Sequence, residues 1–185
     1  VTKTHPISVV ELAMSVGLTV LGENYADELV AKAALVPEAS WHFLGPIQRN
    51  KIGKLAPVVS CFQGLCRKEE AASIARVRPG AHVLIQVDTT GAATRSGVAP
   101  ENVAELLDEI RPVDVVVDGL MCVAPPDRVA AAACFETVAD LAQLHELSVR
   151  SMGMSGDFEL ALHAGATLVR VGSALFGPRP GADPR

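Results

Sequence analysis

A regular alternation constrains this chain more than any other feature. Short apolar runs rich in β-branched residues alternate with stretches whose apolar residues recur at helical spacing. The runs lie at 18–21, 41–44, 58–62, 82–87, 114–117, 148–152 and 168–171. Two of them, HVLIQV and VDVVV, are apolar at successive positions, which suits strands covered on both faces. The stretch PISVVELAMSVG opens with Pro6 and closes with Gly17, residues that start and stop helices. PENVAELLDEI and DRVAAAACFETVADLAQLHEL carry the same helical spacing, and DFELALHAG ends at Gly165. A helix directly after Pro6 implies a strand before it, so Val1 and Thr2 read as the tail of a first strand. Eight strand–helix units in this order predict a (β/α)8 TIM-like barrel, formed as one domain over 1–185. A doubly wound open sheet is the alternative, which alternation alone does not separate from a barrel.

Composition narrows the function. A net charge of −5 argues against an extended nucleic-acid surface. It leaves room for a local anion site built from backbone N–H groups. Cys61, Cys66, Cys122 and Cys134 form no Cys-x-x-Cys pair, so they read as buried free thiols of a reducing compartment. No apolar run approaches the roughly 18 residues of a membrane helix, and no secretory signal is visible. A cytoplasmic protein is expected.

Barrel chemistry belongs at the C-terminal ends of the strands. KTHP offers Lys3 there, and GENY offers Asn24 and Tyr25. HFLGPIQRNK follows His42, and GLMCVAP brings Met121. In SMGMSGD, Ser155 lies between glycines ahead of a helix. In VGSALFG, Gly172 and Ser173 open another. Glycine lets a backbone approach a ligand closely, and free N–H groups suit a phosphate. The same loops also read as ordinary helix caps. Lys3 is a possible Schiff-base lysine, and on the simplest count an exposed charge, expected across the ring of loops from these two segments. Arg170, inside TLVRVG, needs a partner or a ligand. His42 reads equally as a core histidine, Asn24 as a turn residue, and Met121 as a core filler.

The ordered set TKTHP, GENYADEL, WHFLGPIQRNK, DGLMCVAP and SMGMSGDFELALHAGATLVRVGSALFG resembles the YggS/PROSC-type family of pyridoxal-phosphate (PLP) homeostasis proteins. That resemblance implies the fold of the alanine racemase N-terminal barrel and PLP as cofactor. It implies that Lys3 carries PLP as a Schiff base, and that Asn24, His42 and Met121 border the cofactor. It gives Ser155, Gly172 and Ser173 the phosphate, and Arg170 the pyridine nitrogen. The family has a helix and a full first strand ahead of the lysine, so strand one is expected to be truncated here. Arg95, in TRSG, stands where many members carry Lys, and the two cations are not equivalent donors.

The resemblance implies a carrier of PLP with no established reaction, acting with free amino acids and PLP-dependent apo-enzymes as a monomer. An amino-acid racemase is the alternative. A racemase needs a base across the substrate from the lysine, and the chain's one tyrosine, Tyr25, sits beside Asn24.

Overall fold

The computed structural model describes residues 1–92 and 94–178. Seven strands form one sheet in strict sequence order: β1 Val20–Glu23, β2 Ser40–Phe43, β3 Val59–Leu65, β4 Ala81–Val87, β5 Val115–Cys122, β6 Val149–Met154 and β7 Leu168–Arg170. Every neighbouring pair is parallel. A doubly wound sheet reverses its strand order part-way. This sheet never does, so the open-sheet alternative is excluded.

The gap between β1 and β7 is spanned by the first two residues. The Thr2 N–H donates to the Gly22 carbonyl at 3.1 Å, and the Val1 amino group donates to the Val171 carbonyl at 2.6 Å. Val1 and Thr2 thus occupy the place of the expected first strand and bring the ring close to closure.

The helices between strands are α1 Ile7–Ser15, α2 Ala26–Leu35, α3 Arg49–Leu55, α4 Lys68–Val77, α5 Val103–Ile110, α6 Arg128–Leu144, α7 Phe158–His163 and α8 Ser173–Phe176. Each longer helix buries one stripe. In α6 the buried residues are Ala131, Cys134, Phe135, Val138 and Ala142, the spacing of a single helical face. Its start is fixed by the Asp127 carboxylate, which accepts from the Ala130 N–H at 2.9 Å. The core is mostly aliphatic, with Trp41, Phe62 and Phe135 as its largest buried side chains. The four cysteines are free, three of them buried and Cys66 half-buried. Among the described residues no helix is long and apolar enough to cross a membrane, and no cluster of ligating side chains suits a metal ion.

Three strands run further than the apolar runs suggest. β3 continues to Leu65, β5 to Cys122 and β6 to Met154. In β5 the apolar run ends at 117 and GLMCVAP is expected to follow the strand, yet the strand passes straight through Asp118–Gly119. Gly119 is there because a Cβ at that position would lie 1.9 Å from the Val149 carbonyl oxygen on β6. Glycine marks a close approach between strands at this position, not a turn. Met121 therefore stands on a strand, fixed and 2% exposed, not in a loop.

Candidate functional site

A cavity of about 270 Å³ opens at the C-terminal ends of the strands. Lys3, Asn24, Met121, Ser155, Arg170, Gly172 and Ser173 all line it. Of the residues singled out from the sequence, His42 does not. It lines two other cavities, one beside β1 and β7 and one toward the N-terminal ends of the strands.

Lys3 follows directly on the two residues that bridge β1 and β7. Both flanking residues are held. The Thr2 hydroxyl donates to Glu23 Oε1 at 2.7 Å, and the Thr4 N–H donates to Glu28 Oε1 at 2.7 Å. Thr4 itself has φ 65°, a left-handed conformation rare for a β-branched residue. The chain turns sharply there, and such strain persists only where surrounding contacts over-determine it. The Lys3 ammonium lies 5.6 Å from the centroid of the Tyr25 ring, a cation–π contact.

The ring of strands brings Lys3 beside the last strand, not across from it. A Cβ on Gly172 would sit 3.2 Å from the Val1 carbonyl oxygen, so the lysine segment and the β7–α8 turn pack closely. A list of loops in chain order hides this, because the first and last members of a closed ring are neighbours.

On that side, backbone donors converge. The N–H groups of Gly172 and Ala174 both point at Ser155 Oγ, at 3.1 and 3.2 Å. One hydroxyl oxygen occupies the spot where two main-chain donors meet, the arrangement an oxyanion would use. Ser173 stands exposed beside them.

Arg170 ends β7 and is 9% exposed. Its guanidinium donates to the Ser151 carbonyl at 2.6 Å, the Ser151 hydroxyl at 2.9 Å and the Cys122 carbonyl at 2.6 Å. All three acceptors are neutral. A buried cation held only by neutral acceptors favours an electron-rich group in the cavity it lines. Burial lowers its pKa, with Cys122 and Asp157 acting in the other direction.

Two parts of this arrangement escaped the sequence. Gln63 and Ser151 are buried polar residues inside the barrel; no motif marks Gln63, and Ser151 opens SMGMSGD without having been singled out. The Glu23–Lys32–Glu28 cluster lay within GENYADEL and the helix after it, but only the structure shows it gripping the lysine segment. Arg95 donates to the Val123 carbonyl at 2.6 Å and lines an adjoining cavity with Asn24 and Met121.

The family model for the alanine racemase N-terminal domain matches residues 1–180. The chain is 36% identical over 197 residues to the pyridoxal phosphate homeostasis protein of Vibrio cholerae, covering 97% of this chain and 84% of that protein. It is 39% identical over 180 residues to the same-named protein of Deinococcus radiodurans, covering 95% and 86%. This chain belongs to the pyridoxal phosphate homeostasis protein family. Among solved structures, PipY of Synechococcus elongatus with PLP bound matches this family member with a TM-score of 0.84 and 30% identity, over 95% of this chain and 90% of that one. An alanine racemase of Clostridium difficile matches with a TM-score of 0.78 at 16% identity, over 96% and 50%, a likeness of fold alone.

Proposed function

We propose that this chain binds PLP in the cavity at the C-terminal ends of its strands and serves intracellular PLP homeostasis as a carrier. The observation that carries this reading is the convergence on one cavity of a lysine, paired oxyanion donors and an arginine hydrogen-bonded to neutral acceptors. PLP brings an aldehyde for a lysine amine, a phosphate, and a pyridine nitrogen with a lone pair. Each of the three has a matching group. Lys3 is the covalent anchor. Ser155 and the Gly172–Ser173 turn take the phosphate through hydroxyl and N–H groups. Arg170 donates to the ring nitrogen, and Asn24 and Met121 flank the ring. His42 acts from outside the cavity.

Family membership and the PLP-bound relative support the cofactor. The chemistry supports a carrier over an enzyme. A permanent cation beside the ring nitrogen opposes its protonation, which weakens the ring as an electron sink. Tyr25 lies against the Lys3 ammonium and is not among the residues lining the cavity, which argues against it as a base across the substrate from that lysine. In this reading free amino acids exchange at Lys3, and PLP-dependent apo-enzymes receive the cofactor. The protein works as a cytoplasmic monomer.

Titration with PLP, followed by visible absorbance, tests the reading. Saturable binding at one site per chain is expected, with transfer of PLP to an added apo-enzyme. Absence of a saturable spectral change would remove the proposal.

A further inference from the structure

Arg170 stands at one end of a hydrogen-bonded chain that crosses the barrel interior. Its guanidinium donates to Ser151 Oγ at 2.9 Å. The Ser151 hydroxyl donates to Gln63 Oε1 at 2.7 Å. Gln63 Nε2 lies 2.7 Å from His42 Nδ1. Ser151 is on β6, Gln63 on β3 and His42 on β2, so the Ser151–Gln63 bond runs between strands that are not neighbours in the sheet. Ser151 is fully buried and Gln63 is 1% exposed.

The chain has one sense. An amide nitrogen only donates, so His42 Nδ1 must accept and its proton must sit on Nε2. Burial lowers the His42 pKa, against a smaller opposing effect of Asp118, which agrees with a neutral ring. With the amide so oriented, Gln63 Oε1 faces Ser151 and takes its proton. The Ser151 oxygen then keeps its lone pairs for Arg170. Turning the amide over would aim its NH2 at the same oxygen and leave the buried Ser151 proton without an acceptor. An unsatisfied buried donor is strongly disfavoured. The Ser151 proton thus sets the amide, the amide sets the His42 tautomer, and the serine so held accepts from the guanidinium.

We propose that Gln63 is a positioning residue of the cofactor cavity, acting on Arg170 through Ser151, with His42 as the acceptor that anchors its amide nitrogen. This rests on the reading of Arg170 as a contact of bound PLP. It assigns His42 an indirect role, through the barrel interior, in place of direct contact. A polar side chain buried in the barrel interior carries a desolvation penalty. Holding the arginine in register with the ring nitrogen accounts for its presence.

PLP dissociation constants of the full-chain protein and its variants test this. Gln63→Met removes both hydrogen bonds at nearly constant volume and should weaken PLP about tenfold, the effect of misaligning one hydrogen bond from the charged Arg170 guanidinium. In an Arg170→Ala background the same change should have no further effect, because the pair acts as a unit. His42→Asn, whose side-chain oxygen can replace Nδ1 as acceptor, should keep wild-type affinity, whereas His42→Phe should match Gln63→Met. If Gln63→Met does not fold, the two His42 variants carry the test, since His42 lies outside the cavity. An equal loss for Gln63→Met with and without Arg170 overturns the relay, as does the same affinity for His42→Asn and His42→Phe. Unchanged PLP affinity in Arg170→Ala removes the reading of Arg170 itself, and the relay with it.

Discussion

The Lys32 ammonium donates to the Thr2 carbonyl at 2.7 Å, so the residue next to Lys3 is gripped by a side chain on α2. The same nitrogen bonds Glu23 Oε1 at 2.6 Å and Glu28 Oε1 at 2.7 Å. Glu23 in turn accepts from the Thr2 hydroxyl, and Glu28 from the Thr4 N–H. One buried lysine therefore ties both neighbours of Lys3 to β1 and α2.

Breaking this tie should have two effects. Lys32→Met leaves the Glu23 carboxylate buried without its cation, and should destabilise the fold by about 3–5 kcal/mol. Combining it with Glu23→Leu removes the stranded charge and should recover most of that stability. PLP binding should stay weak in the double variant, because Thr2 has lost its bonds to Lys32 and Glu23. Urea unfolding and PLP titration, run side by side, check both outcomes.

The convergence of N–H groups on Ser155 Oγ makes the turn before α8 sensitive to negative charge. Ser173→Asp places a carboxylate beside the proposed phosphate. PLP affinity should fall about tenfold or more, a change on the order of 1.4 kcal/mol. The variant should unfold at the wild-type temperature, since Ser173 is exposed. Equal PLP affinity in the two proteins would place the phosphate elsewhere.

His42 makes a pH prediction with a definite sign. Its pKa is lowered from the ordinary 6.5 by burial, opposed by the Asp118 charge. The unfolded chain therefore binds this proton more readily than the folded one. The contribution of neutral His42 is present above about pH 6.5 and is lost as the pH falls through the folded value. Between pH 7.5 and 5 the wild type should lose stability relative to His42→Asn. Parallel melting curves over that range contradict the assignment.

Turnover of amino acids should be negligible. Chiral chromatography of L-alanine incubated with the PLP-loaded protein should show no enzyme-like racemisation. Several turnovers per second, abolished by Lys3→Ala, would restore the racemase alternative.

The barrel was legible in the sequence because its signals are local. Runs such as HVLIQV and the periodic face of α6 each announce their own element, whereas the strand order that separates a barrel from a doubly wound sheet is shown by the structure. The cavity was nearly as legible, since its residues sit in Gly- and Ser-bearing segments at strand ends. What stayed hidden depends on partners far apart in the chain. Gly119 looks like a residue beyond the end of a strand until Val149 is packed against it. Gln63 and Ser151 look like ordinary polar residues until the barrel brings β3 and β6 face to face. Lys3 seemed remote from Gly172 until ring closure made the first and last segments neighbours. α2, α3 and α4 went undelimited for a different reason: their short apolar stripes are diluted by charged residues, as in Lys68–Val77, where Glu69, Glu70 and Arg76 intervene.

The central claim is that Lys3 carries the cofactor. Incubation of the full-chain protein with PLP, borohydride reduction and peptide mass spectrometry test it most directly. One pyridoxyl-phosphate adduct per chain is expected, on Lys3, and none in Lys3→Ala. An adduct at another lysine, or one that survives Lys3→Ala at the same stoichiometry, contradicts it.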